Sequence, residues 1–184
     1  MGRRLAVVLG AIALLAVGTA GTPAFAAQTG NTTVTFAITA GSLNITVPAT
    51  ANIGSGAPGA TFSGQLGAVQ VTDQRGLLVA TWATTVTSTA FTTGAASAAE
   101  TIPVSAVKYW SGAATATTGI GVFTPGQATS AAAVTLTTTA GPTAFTLTAG
   151  VGNNSATWNP TLVVTAPAAA VAGTYTGTVT HSVA

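Results

Sequence analysis

Residues 78–86 read LVATWATTV. Extended, this order puts Leu78, Ala80, Trp82, Thr84 and Val86 on one face and Val79, Thr81, Ala83 and Thr85 on the other. Threonine facing outward favours the extended form, because its stiff β-branched side chain fits a pleated surface. The stretch therefore predicts a strand with one buried face, with Trp82 in the core.

The same period of two runs outward in both directions. In NTTVTFAIT (31–39), Val34, Phe36 and Ile38 share a face; in SLNITVP (42–48), Leu43, Ile45 and Val47 do, and Pro48 ends the strand. GAVQVTD (67–73) pairs Val69 with Val71. AVTLTTT (133–139) and TAFTLTA (143–149) flank Gly141-Pro142 as a hairpin would. SATWNPTLVVTAP (155–167) and TYTGTVTHSV (174–183) follow, and the second aligns Tyr175, Gly177, Val179, His181 and Val183. A tyrosine at such a corner often ties its hydroxyl back to the backbone. Turn chemistry stands between these runs in GSGAPG (54–59), DQRG (73–76) and VGNNS (151–155), and helical periodicity is almost absent, with room for one turn over 94–100. Many short strands with Gly, Pro and Asn turns predict an all-β fold, a single antiparallel β-sandwich of immunoglobulin-like type over residues 27–184.

Residues 1–26 have the order of a cleaved signal peptide. Arg3 and Arg4 are basic, Leu5 to Val17 is apolar but short, and Ala24-Phe25-Ala26 is a small-x-small cleavage site. The mature chain is expected to begin at Ala27 and to be secreted, at the cell surface. No second apolar run of ~18 residues predicts a membrane span in the mature form. Without the leader, Arg75 and Lys108 stand against Asp73 and Glu100, a formally neutral chain. With no basic cluster, nucleic acid is not an expected partner. Charged residues make up 3% of the sequence, against about 25% in an ordinary soluble domain. A surface of Thr, Ser, Asn and Gly carries little charge repulsion to oppose self-association. With no cysteine, an exported chain must rely on its core, and roughly 155 residues suffice for one.

Catalysis is hard to staff. A hydrolase needs paired carboxylates, or a nucleophile with a base and an orienting group. The mature chain offers Asp73, Glu100 and His181. Asp73 and Gly76 suit the first and last positions of a type I turn around Arg75, Glu100 is isolated, and His181 is phased inward. A metal needs three or four ligands. We therefore expect no enzyme, no cofactor and no metal. Aromatic side chains are the better binding candidates, because a ring can stack on a sugar face. Trp82 and Trp158 share parity with apolar neighbours and are expected in the core. Tyr109-Trp110 is adjacent in sequence, so one ring of an extended pair points outward; this pair is the expected contact.

Three segments resemble the WxL-type surface domains of Gram-positive bacteria: VTDQRGLLVATWATTVTSTAF (71–91), NNSATWNPTLVVTAPAAAVAGTYTGTVTHSV (153–183) and TVTFAITAGSLNITVP (33–48). The first Trp-x-Leu motif of that family stands here as Trp82-Ala83-Thr84 and the second as His181-Ser182-Val183. Asp73, Arg75, Trp82, Trp158, Tyr175 and His181 occupy positions similar to the family's, with structural roles expected. The resemblance implies a secreted β-sandwich held non-covalently on cell-wall peptidoglycan or wall polysaccharide. The alternative from the residues alone is a self-associating subunit of a surface coat or fibre, its terminal strands pairing edge to edge.

Overall fold

The computed structural model describes residues 28–184; the leader expected over 1–26 and the cleavage before Ala27 lie outside the described residues. The chain divides after Ala37 into two units. In the first, residues 28–37 hold no regular secondary structure, and Val34 and Phe36 are 79% and 85% exposed. Ile38, at the start of the second unit, is 88% exposed. The strand expected over 31–39 is thus absent. Its alternation is present, but a strand exists only by hydrogen-bonding to a neighbour.

The second unit is all-β. Its strands are β1 (Leu43–Thr46), β2 (Thr61–Gln65), β3 (Val69–Asp73), β4 (Ala80–Ser88), β5 (Phe91–Thr92) and β6 (Thr101–Ile102). They continue as β7 (Val107–Trp110), β8 (Ala114–Pro125), β9 (Val134–Thr135), β10 (Thr143–Trp158), β11 (Thr161–Thr165) and β12 (Val179–Val183). Helix among the described residues is confined to single 3-10 turns, one of them at Ala98–Glu100 within the stretch expected to hold a turn. No described helix is long and apolar enough to cross a membrane.

Six strands form a strongly curled, barrel-like sheet in the order β1-β3-β10-β4-β12, with β8 also on β10; four form a second sheet, β2-β11-β7-β9. β5 and β6 make a two-stranded ribbon. Every named pair is antiparallel. The long β10 organises the larger sheet. β8 pairs with both its halves, so β3, opposite Asn154–Trp158, and β4, opposite Thr143–Gly150, must share its other edge. β1 and β12 then flank β3 and β4 on the far side and end that sheet.

Three expectations are corrected. VGNNS (151–155) is no turn: it lies within β10, where register shifts and the positive φ of Ala149 and Gly152 mark bulges. A bulge adds a residue and bends a strand without ending it. AVTLTTT and TAFTLTA form no hairpin, because β9 pairs with β7 in one sheet and β10 lies in the other. Leu78 is 82% exposed, because β4 begins only at Ala80.

The core has two parts. One draws Val86 and Ala144 from the larger sheet and Val107, Tyr109, Leu162 and Val164 from the smaller, so the two sheets pack against each other. The other fills the curl of the larger sheet with Val69, Val71, Ala80, Trp82, Phe145, Leu147, Ala156 and Trp158. Trp82 packs beside Phe123 and stacks on Phe145, and Phe145 stacks on Trp158 at 4.8 Å between ring centroids.

Candidate functional site

The Asp73–Arg75 turn is a closed polar knot. β3 ends at Asp73, which is fully buried. Asp73 Oδ1 accepts from the Arg75 backbone N–H (3.0 Å) and from Arg75 Nε (2.9 Å), and Oδ2 accepts from Arg75 Nη2 (2.9 Å). Arg75 Nη2 also donates to the Thr81 carbonyl at 2.8 Å. The Arg75 guanidinium holds the Asp73 carboxyl below its ordinary range, and the carboxylate in turn raises Arg75. Asn154, opposite Asp73 in the ladder, links the knot to the core: its Oδ1 accepts from Trp82 Nε1 at 2.9 Å. The knot pins the step from β3 to β4 along the edge of β10. Both Asp73 oxygens are taken up within the knot, which ties the turn to β4 through the Thr81 carbonyl.

A second polar chain joins the two core parts. Trp158 Nε1 donates to Tyr109 Oη at 3.4 Å, and Tyr109 Oη lies 3.1 Å from His181 Nε2. The two rings of Tyr109 and His181 sit 5.6 Å apart. Burial lowers the His181 pKa from 6.5 to about 4 and pushes the Tyr109 phenol up. The Tyr109 oxygen accepts from the indole N–H, and in the Nδ1–H tautomer of the neutral imidazole the phenol donates to Nε2. Tyr109 is therefore core and is not available to a surface ligand, contrary to its expected role in an aromatic contact. Its neighbour Trp110 is half-buried and is the outward member of the pair.

Tyr175 is half-buried rather than enclosed; its hydroxyl donates to the Val171 carbonyl (2.9 Å) and lies 3.1 Å from the Ala99 carbonyl. Glu100 accepts from the Ser97 backbone N–H at 2.9 Å, which holds its pKa below the ordinary value. Among the described residues no three of His, Cys, Asp and Glu gather as metal ligands would. The stretches Trp82-Ala83-Thr84 and His181-Ser182-Val183 lie side by side, because β12 pairs with β4: Val183 is opposite Thr84 and His181 opposite Val86. Thr84 is buried, and its hydroxyl has no hydrogen-bond partner.

An open feature among the described residues is one that periodicity did not reveal. A groove of about 870 Å³ lies among residues of both sheets. Phe62 and Leu66 line it from and beside β2, Leu162 and Val164 from β11, and Val179 and His181 from β12, while residues 47–58 and 170–178 also border it. β2 and β12 each end their sheets. The sequence held half of this signal: Val179 and His181 share a parity, but which strand lies across from them is a matter of topology.

No family model, curated protein or solved structure matches the chain.

Proposed function

We propose that this chain is an exported, non-catalytic β-sandwich of immunoglobulin-like build that serves as a self-associating subunit of a surface coat or fibre. One observation carries the reading. Val34, Phe36 and Ile38, spaced as on a strand, are 79–88% exposed on a segment that pairs with no strand among the described residues. Contiguous exposed apolar side chains mark interaction sites, and a chain with two cations and two anions after its leader has little charge to keep copies apart. Sedimentation of residues 27–184 over a concentration series tests it. Multimers are expected, undiminished by molar salt, since apolar contact is not screened. A monomer at every concentration defeats the reading.

A second reading, non-covalent association with wall peptidoglycan or polysaccharide, is favoured by the half-buried Trp110 on the outer face of β7. Trp110→Ala is then expected to release the protein from isolated walls without unfolding it. Molar salt is expected to leave the wild type bound, because no basic cluster contributes. Release of the wild type by salt would exclude an aromatic contact as the anchor.

A further inference from the structure

We propose that the groove between the sheets binds a neutral apolar molecule carrying one hydrogen-bond acceptor, of the acyl-ester class, with His181 Nδ1–H as the donor that orients it. This does not depend on self-association. The groove's volume of about 870 Å³ lies in the range of small-molecule sites, roughly 300–1,000 Å³, which are mostly apolar with a few placed polar groups. Its floor reaches both core parts. Ile102, Leu162 and Val164 of one and Val69 of the other line it, each at most 3% exposed.

Its walls come from two long connections, residues 47–60 between β1 and β2 and residues 166–178 between β11 and β12. Beyond a single bridge at Thr176, neither holds strand or helix. Structureless connections of about 12–15 residues are uncommon within compact domains, and binding loops are among their usual roles. Both are anchored. Ile53 packs on the core from the first, and Ala170 and Tyr175 from the second. Gly59 N–H joins the two by donating to the Pro167 carbonyl at 3.2 Å. Between these anchors Ala51, Asn52, Ala172 and Thr174 line the groove and are nevertheless exposed, so the walls stand away from the floor.

The lining selects against charge. No Asp, Glu, Lys or Arg borders the groove, so a charged ligand would lose hydration and gain no opposite charge. His181 borders it and is kept neutral by burial. Tyr109 Oη accepts from the Trp158 indole, and its own proton is satisfied where imidazole Nε2 accepts it, which is the Nδ1–H tautomer. Among the described residues Nδ1 has no hydrogen-bond partner, and it is not sealed from solvent. The groove thus combines an apolar floor with one unused neutral donor. An ester carbonyl satisfies that donor without bringing a charge. A carboxylate would also accept there, but only by burying a charge that nothing opposes.

Nile red, a neutral dye whose emission shifts to the blue in apolar surroundings, is titrated into the exported chain, residues 27–184. A saturable shift with one dye per chain is expected. Methyl dodecanoate is expected to displace the dye at a concentration at least ~10-fold below that of dodecanoate, about 1.4 kcal/mol. His181→Phe is expected to remove that preference, and His181→Gln, which retains a donor, to keep most of it. Ala170→Trp fills the groove from its wall and is expected to abolish binding. The chain has no cysteine, so Ala51→Cys can also be alkylated with N-phenylmaleimide after folding, which blocks the groove without a folding step. Thr117→Cys on β8, alkylated alike, is expected to bind dye normally, as is the triple variant Val34→Thr, Phe36→Thr, Ile38→Thr. Absence of a saturable shift overturns the proposal, as does equal displacement by dodecanoate. Binding that survives both groove blocks, or that is lost in the triple variant, places the dye elsewhere and overturns it too.

Discussion

At the scale of single residues, position within the two core parts decides what a substitution does. Trp82 is 3% exposed, packs against Phe123 and Phe145, and donates to Asn154. Trp82→Ala is expected to cost about 3–5 kcal/mol in denaturant unfolding; a loss under ~1 kcal/mol would place the ring outside the core. Thr84, one β-strand repeat away, has the opposite defect, a buried hydroxyl with no partner. Thr84→Val keeps the shape and removes the desolvated oxygen, so a gain of about 1 kcal/mol is expected. His181 makes stability depend on pH. Its pKa is lowered by burial from 6.5 to about 4, so between those values the unfolded chain holds a proton that the folded chain does not. Stability therefore falls as pH drops from about 6.5 to about 4. Asp73, held low by Arg75, and Glu100, held low by Ser97, stabilise above their unfolded pKa values of 3.8 and 4.5, and that contribution is lost as pH falls further. His181→Gln is expected to flatten the upper limb of a melting-temperature profile and to leave the lower acid limb in place. An unchanged upper limb would assign that limb to another group.

At the scale of elements, crossings between the sheets depend on close backbone approach. The loop after β9 carries the chain from the smaller sheet to the larger. At its end, the Val86 N–H donates to the Pro142 carbonyl at 3.1 Å, and a Cβ on Gly141 would collide with the Val86 carbonyl. Gly141→Ala is expected to destabilise by roughly 1–3 kcal/mol, read as a shifted denaturant midpoint at unchanged slope. Gly141-Pro142 signalled a turn in the sequence, correctly as chemistry. Whether a turn joins neighbours in one sheet or crosses to another is not written in the turn. Likewise VGNNS has turn residues, yet β10 runs through them as a bulge with β8 and β3 on either side. Of the legible strands, β1, β3, β4 and β12 alternate cleanly, while β11 reads as the apolar run Leu162-Val163-Val164. β8 was not legible: its ATATTGIGVFTP has alanine, threonine and glycine on both faces, with Ile120 and Val122 exposed, and so carries little contrast.

At the scale of the whole molecule, charge is sparse, and Val34, Phe36 and Ile38 are exposed together. Intact mass of the exported protein is expected to begin at Ala27; a mass retaining residues 1–26 would contradict the leader. The assembly test distinguishes a coat subunit from a solitary wall-bound domain, because the first responds to Val34, Phe36 and Ile38 and the second to Trp110.

The sequence by itself determined the all-β class and the burial of Trp82 and Trp158, because period-two alternation and β-branched outward faces are local properties of extended chain. In VKYW it also held the answer for Tyr109, which shares the parity of buried Val107, opposite Lys108 and Trp110. Only tertiary structure decided that the Tyr109 hydroxyl joins Trp158 to His181, that Asn154 ties Trp82 to Asp73, and that β2 and β12 leave a groove between them. These contacts join residues 49 to 81 positions apart, so they depend on which strands become neighbours. Alternation sets a face for each side chain but carries no information about what lies across from it, and over residues 31–39 it is present where no strand forms among the described residues.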